Sequence, residues 1–281
     1  MKKIGFVDYY ISEWHANNYP AWIDEACQKL GLDYKVCYAW AEESISPVDG
    51  LTTEQWCEKF DIEKCDTLEE LCQKSDFIIV LAPSDPHKHL PYANTVLKYG
   101  KRTYIDKTFA PCLSDARVIF ALSEYNKAPF FSTSALRFAT ELEKCPNCRY
   151  IKTTGGGKSV EEYIIHQIEM VVHKLGVGAT RVRGNETGVN VVFTVEYPDG
   201  REAEMTFVRT GSPFIAEMSD GSENNVSFKI ESAFFKKLME KILVFFETGK
   251  SDFSGEETLE VMKIRDGVLA SESALGKWIE L

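Results

Sequence analysis

Lys107, His166 and Glu162 are the residues of this 281-residue sequence whose types and positions best suit chemistry. Lys107 follows a short apolar segment, and an ammonium group there can polarise a hydroxyl group or lower its pKa. Glu162 and His166 are four residues apart in a helical segment, so their side chains share one face. A histidine with an ordinary pKa of about 6.5 suits general-base catalysis at neutral pH. Residues of these types are able to carry out proton transfer at a hydroxyl group.

Each candidate also has a structural interpretation. Lys107 could be a solvated loop lysine, and His166 could be a buried helix residue whose ring bonds to the backbone. For His87 the functional and structural interpretations are about equally favoured. His15 follows Trp14 in the first predicted helix and is interpreted as a packed helix residue.

The segments that position these residues alternate between strand and helix patterns over residues 1–125. Ile4–Val7 is a short apolar strand, and Phe77–Leu81 is an apolar run without alternation, typical of a strand buried on both faces. The alternation predicts an α/β fold whose first domain is a Rossmann-like, doubly wound parallel sheet. Ligands of such sheets bind at the carboxyl ends of the strands. The candidate binding loops are therefore Asp8–Ser12, Pro83–His87 and Asp106–Thr108.

Residues 126–255 follow a different pattern, which predicts an α+β domain with an antiparallel sheet. A helix over Val160–Lys174 comes first, and strand patterns dominate the segment from Thr180 to Ile230. Val189–Tyr197 and Arg201–Val208 flank a Pro-Asp-Gly turn, which favours a β-hairpin.

Motifs along nearly the whole chain resemble the Gfo/Idh/MocA oxidoreductases, the family that contains glucose–fructose oxidoreductase and inositol dehydrogenase. Asp76–Ala110 reads DFIIVLAPSDPHKHLPYANTVLKYGKRTYIDKTFA, similar to the family's buried strand, Pro-x-x-x-His loop, helix and Glu-Lys-Pro loop. Gly155–Gly157 precedes EEYIIHQIEMVVHKLG, which resembles the family's Asp-x-x-x-His helix. The ending LEVMKIRDGVLASESALGKWIEL resembles its closing helix, which returns to the first domain and here spans 256–269. No single motif is specific to this family, but the order in which the motifs occur along the chain is.

The resemblance implies an NAD(P)-dependent oxidoreductase that takes hydride from a sugar, polyol or related hydroxy compound. Lys107 would be a catalytic or substrate-orienting residue, and His166 would take the hydroxyl proton. Glu162, where the family usually has Asp, would hold the imidazole in one tautomer or contact the substrate. The resemblance also implies a homodimer or larger homo-oligomer through the open face of the second-domain sheet. The implied cofactor-binding residues are Asp8, Tyr10, Ile11, Pro83, His87, Asp106 and Lys107.

The phosphate-binding turn departs from the pattern. Dinucleotide-binding turns use Gly-x-Gly-x-x-Gly/Ala so that bare backbone can approach the pyrophosphate. Asp8 and Tyr10 stand where the first two glycines belong. The Asp8 carboxylate would lie close to the negatively charged pyrophosphate. Like charges a few ångströms apart repel by roughly 1–4 kcal/mol at aqueous to surface dielectric. A second hypothesis therefore stays open: a non-catalytic or divergent member that binds a small ligand without ordinary dinucleotide binding.

Composition excludes several other classes of protein. The chain has 43 acidic and 32 basic residues and a net charge of −11, which disfavours nucleic acids and anionic membranes as partners. No apolar stretch reaches the roughly 18–20 residues of a membrane span. Without an export signal, the eight cysteines are expected to be reduced thiols in a cytoplasmic protein. Cys145 and Cys148 lack a second pair or histidines at zinc-site spacing, so no metal site is predicted.

Overall fold

The computed structural model describes residues 1–83, 85–222 and 225–281. Ser84, which belongs to one predicted binding loop, lies outside the described residues, as do residues 223–224. The helices and strands follow one another in this order: β1 (Lys2–Asp8), α1 (Trp14–Leu30), β2 (Tyr34–Ala41), α2 (Thr53–Phe60), β3 (Glu63–Lys64), α3 (Leu68–Lys74), β4 (Phe77–Val80), α4 (His89–Val96), β5 (Thr103–Ile105), α5 (Leu113–Asn126), β6 (Phe130–Ser132), β7 (Tyr150–Gly156), α6 (Val160–Leu175), β8 (Arg181–Thr187), β9 (Asn190–Glu196), β10 (Glu202–Val208), β11 (Ile215–Ser219), β12 (Asn225–Lys229), α7 (Phe234–Thr248), α8 (Gly255–Glu272) and β13 (Trp278–Glu280).

The chain divides into two compact units, each built from two segments. Met1–Thr133 and Phe235–Asp252 form unit 1, whereas Ser134–Phe234 and Phe253–Leu281 form unit 2. Among the described residues, no helix combines the length and hydrophobicity that a membrane crossing requires. All eight cysteines are free thiols.

Unit 1 contains the predicted parallel sheet. Its six strands lie in the order β3-β2-β1-β4-β5-β6 and pair in parallel throughout, the doubly wound order of dinucleotide-binding domains. The apolar run in β4 is central, and Ile78, Ile79 and Val80 are fully buried. Gly31 ends α1 in a left-handed conformation, as its position predicts. The predicted fold class is confirmed for this unit.

Helix α7 belongs to unit 1, although its sequence position is far from the rest of that unit. Phe246 stacks on Phe77 with 4.7 Å between ring centroids and lies 6.2 Å from the ring of Tyr34. A guanidinium nitrogen of Arg102 donates to the carbonyl oxygen of Glu247 at 2.9 Å. The limits of the two units differ from the domain boundaries predicted at residues 125 and 255, since unit 1 takes in β6 and nearly all of α7.

Helix α8 packs within unit 2, against α6, β8 and β13. Glu260 on α8 accepts hydrogen bonds from the backbone N–H groups of Gly178 at 3.0 Å and Ala179 at 2.7 Å, which ties the helix to the start of β8. The return of the helix at 256–269 to the first domain stays a prediction, whereas the observed contacts assign α8 to unit 2. An amphipathic pattern predicts a buried face, but it does not tell which sheet covers that face.

The sheet of unit 2 has seven strands in the order β12-β11-β7-β10-β9-β8-β13. The predicted hairpin of β9 and β10 is confirmed, and β11 and β12 form a second antiparallel pair. The sheet is mixed rather than antiparallel, because β7 pairs with β10 in parallel. Between these two strands the chain passes through α6, the kind of crossover that parallel neighbours require.

Candidate functional site

Four predicted site residues lie at the carboxyl edge of the sheet in unit 1. Asp8 ends β1, and its Oδ1 accepts hydrogen bonds from the N–H groups of Tyr9 at 2.7 Å and Ala82 at 3.0 Å. The Asp8 side chain therefore joins the end of β1 to the loop after β4. Asp106 and Lys107 follow β5, and Lys107 Nζ donates to the carbonyl oxygen of Pro83 at 3.5 Å.

Three buried carboxyl groups occupy this edge, and we call Asp8, Glu13 and Asp106 the acid cluster. Their exposed fractions are 1 %, 7 % and 1 %. Asp8 Oδ2 is buried without a hydrogen-bond partner among the described residues. Burial, and then the charge of Glu13, raises the pKa of Asp8 well above its ordinary value. Burial also raises the pKa of Glu13. The edge thus holds carboxyl groups whose ionised forms are poorly solvated.

Asp106 differs from the other two members of the acid cluster in that its pKa lies below its ordinary value. Its Oδ2 lies 2.9 Å from His15 Nδ1, and the hydroxyl of Tyr104 donates to its Oδ1 at 2.9 Å. Burial works to raise the pKa of Asp106, but the neighbouring His15 and Lys107 hold that pKa at about 2. His15 is packed, as the sequence predicts, against Trp14 and other aromatic rings. Its contact with Asp106 is a finding that the sequence analysis missed.

The turn between β1 and α1 is filled by its own side chains. Glu13 is the N-cap of α1, and its carboxylate accepts from the N–H groups of His15 at 2.8 Å and Ala16 at 2.5 Å. Ile11 is buried and Tyr10 is half-buried. The acidic residue directly before the first helical position was the available signal for Glu13, because N-cap positions favour acceptor side chains.

Hydrogen bonds tie this turn to the loop that precedes α2. The hydroxyl of Ser12 donates to Asp49 Oδ2 at 2.7 Å. The hydroxyl of Ser46 in turn donates to the carbonyl oxygen of Ser12 at 2.7 Å. Ser12 and Ser46 are both buried. The backbone of the turn is therefore held in place from two sides.

These residues do not fit a dinucleotide pyrophosphate at the β1–α1 turn. A pyrophosphate in this fold is held by unpaired N–H groups at the helix N-terminus and by closely approaching backbone. Here the first N–H groups of α1 already hold the Glu13 carboxylate, and the side chains of Asp8 and Tyr10 replace glycine. Glu42, which follows β2 where a ribose-binding acid is expected, is bonded to Lys88 Nζ at 2.5 Å and to the Tyr92 hydroxyl at 2.7 Å.

His89, and not the predicted His87, holds the loops after β4 and β5 together. Its Nε2 lies 2.6 Å from the carbonyl oxygen of Leu81, and its Nδ1 lies 3.1 Å from that of Phe109. Burial lowers the pKa of His89. His87 is exposed, and its N–H donates to Asp85 Oδ1 at 3.0 Å. No sequence pattern distinguished His89, because its partners are backbone carbonyl groups from distant segments.

The predicted Glu162 and His166 lie on α6 of unit 2. His166 Nδ1 is 2.7 Å from Ser134 Oγ, and the rings of Tyr163 and Phe214 lie 5.9 Å and 5.6 Å from its ring. Ser134 therefore orients the imidazole, a role that the sequence analysis had offered to Glu162. Glu162 is half-buried, and its N–H donates to the N-cap Ser159 at 3.2 Å.

In the described part of the chain, no three His, Cys, Asp or Glu side chains are arranged to hold a metal ion. No family model matches the sequence. No curated protein matches it either.

Solved structures match the chain over its whole length. GenD2 from gentamicin A biosynthesis, solved in complex with NAD, is 11 % identical at a TM-score of 0.79, covering 100 % of this chain and 97 % of its own. An NAD-binding oxidoreductase from Klebsiella pneumoniae is 11 % identical at 0.78, covering 99 % and 98 %. The UDP-N-acetylglucosamine 3-dehydrogenase GnnA from Acidithiobacillus ferrooxidans is 9 % identical at 0.77, covering 98 % and 97 %. The chain therefore has the complete fold of the Gfo/Idh/MocA-type dehydrogenases that its motifs resemble.

Proposed function

We propose that this chain is an oxidoreductase that acts on a CH–OH group of a sugar, polyol or related hydroxy compound, with NAD or NADP as cofactor. The observation that carries the proposal is the match of the complete chain to dehydrogenase structures, with at least 97 % of each compared chain covered. One of those structures contains NAD, and another is a sugar-nucleotide dehydrogenase.

Lys107 supports the proposal from unit 1. It lies at the edge of the sheet where ligands of this fold bind, and its ammonium group is half-buried against the Pro83 carbonyl oxygen. We assign to Lys107 the donation of a hydrogen bond to the substrate hydroxyl oxygen. Such a contact stabilises the negative charge that develops on that oxygen as its proton leaves.

His166 supports the proposal from unit 2. We assign to it the role of general base, since Ser134 fixes its ring by the bond to Nδ1. Ser134 takes the orienting function first offered to Glu162, and Glu162 keeps the alternative assignment of a substrate contact.

A second candidate function is favoured by the β1–α1 turn, where Glu13 covers the N–H groups that a pyrophosphate uses. Under this hypothesis the chain binds a small ligand without dinucleotide chemistry. The whole-chain match does not distinguish the two candidates, because a likeness of 9–11 % identity establishes the fold alone.

Titration of the full chain with NADH and NADPH separates the two candidates. Nicotinamide fluorescence and thermal unfolding report on binding directly. The proposal predicts saturable binding, and a ligand at a hundredfold excess over its Kd stabilises by about 2.7 kcal/mol. Absence of any shift at millimolar cofactor overturns the NAD(P) proposal and leaves the ligand-binding candidate.

Turnover of a panel of sugars and polyols then tests Lys107. The variant Lys107→Met should lower kcat about 10²- to 10³-fold, the usual effect of removing one donor to a developing oxyanion. Lys98→Met is the matched control, because Lys98 is an exposed lysine of the same unit. Equal turnover of the two variants would remove Lys107 from the proposed site.

We also propose a cytoplasmic location and a homo-oligomer. The eight free thiols support a reducing compartment. In the sheet of unit 2, every second residue of β9 and β10 is half-exposed, while the alternate residues are buried. That half-exposed face is the surface assigned to a second copy. Light scattering on the purified chain and on the Val192→Lys variant tests the assignment, and a monomeric wild-type protein would contradict it.

A further inference from the structure

The β1–α1 turn carries its own anion. We infer that the Glu13 carboxylate occupies the anion-binding position at the start of α1 that a dinucleotide pyrophosphate takes in this fold, and thereby controls dinucleotide binding. The inference rests on the proposed function, because NAD(P) is the ligand whose affinity Glu13 sets.

The contacts of Glu13 are those of a bound anion. One oxygen of its carboxylate accepts from the N–H of Ala16 at 2.5 Å, and the other accepts from the N–H of His15 at 2.8 Å. N–H groups at a helix start point outward with partial positive charge, which is why phosphates bind there. Both oxygens of Glu13 are therefore engaged with groups that a phosphate would need.

The side-chain caps of four other α-helices are hydroxyl groups. Thr52, Thr67, Ser159 and Ser254 cap α2, α3, α6 and α8 respectively, and each hydroxyl accepts one backbone N–H. Only a carboxylate with two N–H contacts resembles a phosphate in charge and reach. Capping α1 alone would need no more than one of these hydroxyl groups.

The position of Glu13 is stable. Glu13 is only 7 % exposed, and its carbonyl oxygen accepts from the N–H of Asn17 at 3.0 Å. The preceding Ser12 is bonded to Asp49 and Ser46. A pyrophosphate must therefore displace a buried carboxylate from a turn that is anchored at several points.

The charge around Glu13 opposes such a displacement. Asp8 and Asp106 are buried beside it, and the charge of Glu13 is one of the influences that raise the pKa of Asp8. A dinucleotide pyrophosphate would bring two further negative charges to this place. His15, at 2.9 Å from Asp106 and 3.8 Å from Glu13, is already engaged with the cluster.

The experiment compares NADH binding by the wild-type chain and three variants. Glu13→Ser keeps a capping hydroxyl but removes the carboxylate, and Glu13→Gln removes only the charge. Thr52→Ala is the matched control, because it removes the cap of another helix in the same unit. Binding is followed by nicotinamide fluorescence, and thermal unfolding verifies that each variant is folded.

We expect Glu13→Ser to bind NADH at least tenfold more tightly than the wild-type chain, Glu13→Gln to lie between them, and Thr52→Ala to match the wild type. If Glu13→Ser does not fold, Glu13→Gln decides by the same comparison. Binding by the variants with none by the wild type supports the inference but removes NAD(P) dependence from the native chain. Equal NADH binding by the wild type and the Glu13 variants overturns the inference about Glu13 but not the proposed function. Absence of NADH binding by the wild type and every variant overturns both the inference and the proposed NAD(P) dependence.

Discussion

Both units contain buried carboxyl groups, but the partners of these groups differ between the two units. In unit 2, Arg137 is buried and donates to Glu169 at 2.8 Å through Nε and to Glu257 at 2.7 Å through Nη1. In unit 1, the three carboxyl groups of the acid cluster share the nearby His15, a few backbone N–H groups and, at Asp106, the neighbouring charge of Lys107. The carboxylates of unit 2 are bound directly by a buried guanidinium, whereas Asp8 Oδ2 in unit 1 has no hydrogen-bond partner among the described residues.

This difference indicates a structural role for Arg137 and its partners and a functional role for the acid cluster. A buried guanidinium with well-formed partners holds segments together, and its charge does not depend on pH in the ordinary range. Buried carboxyl groups with raised pKa values are typical of functional places. The acid cluster lies where ligands of doubly wound sheets bind, and Arg137 does not. Three substitutions test this comparison.

The largest effect is expected from Arg137→Met. Removal of one partner from a buried ion pair destabilises by about 3–5 kcal/mol, because the remaining charge, here that of Glu169, loses its cation. Urea unfolding at neutral pH measures the change. Arg209→Met is the control, since Arg209 is exposed and pairs with Glu272 only at 3.6 Å. The double variant Arg137→Met with Glu169→Gln should recover part of the loss, and a loss of less than 1 kcal/mol in the single variant would contradict the comparison.

His15→Gln should have the next largest effect, a loss of about 2 kcal/mol, the scale of a hydrogen bond to a charged group. Because the pKa of Asp106 is lowered to about 2, its stabilising contribution is complete above its ordinary pKa of 3.8 and is lost as the pH falls towards 2. The difference in the free energy of unfolding between wild type and variant should therefore shrink as the pH falls over that range.

Urea unfolding between pH 2 and 7 provides this test of His15. His87→Gln is the matched control, because His87 is exposed in the same unit. If the difference in the free energy of unfolding between wild type and His15→Gln stays constant with pH, His15 contributes packing only.

Asp8→Asn should have the smallest effect and the opposite sign. Asparagine keeps the oxygen that accepts from Tyr9 and Ala82 but removes a charge without a partner at Oδ2. A carboxyl group with a raised pKa destabilises the folded protein as the pH rises above its ordinary value of 3.8. We expect a gain on the order of 1 kcal/mol at neutral pH, which disappears in acid.

Asp61→Asn is the control for this substitution, because Asp61 is exposed and its ion pair with Lys35 contributes little. Urea unfolding at pH 4 and pH 7 measures both variants. An Asp8→Asn protein less stable than the wild type at neutral pH would show that the Asp8 charge stabilises the edge.

The sequence predicted those parts of the molecule that depend on local pattern. The parallel order of unit 1 followed from alternating strand and helix segments, and the hairpin of β9 and β10 followed from its turn residues. Asp8, Pro83, Asp106 and Lys107 reached one edge because parallel strands end on the same side. The sequence also located the departure from a phosphate-binding turn, since Asp8 and Tyr10 are simply not glycine.

Only the tertiary structure decided what depends on distant partners. One example is the assignment of α7 and α8 to their units, and others are the bond of His166 to Ser134 and the contacts of His89. Each of these involves segments that are far apart in sequence or leave no local pattern. The same holds for the acid cluster, in which Asp8 and Glu13 meet Asp106 from a strand about a hundred residues later. Burial sets the pKa of a carboxyl group through all the atoms around it, and those atoms are brought together only by the fold.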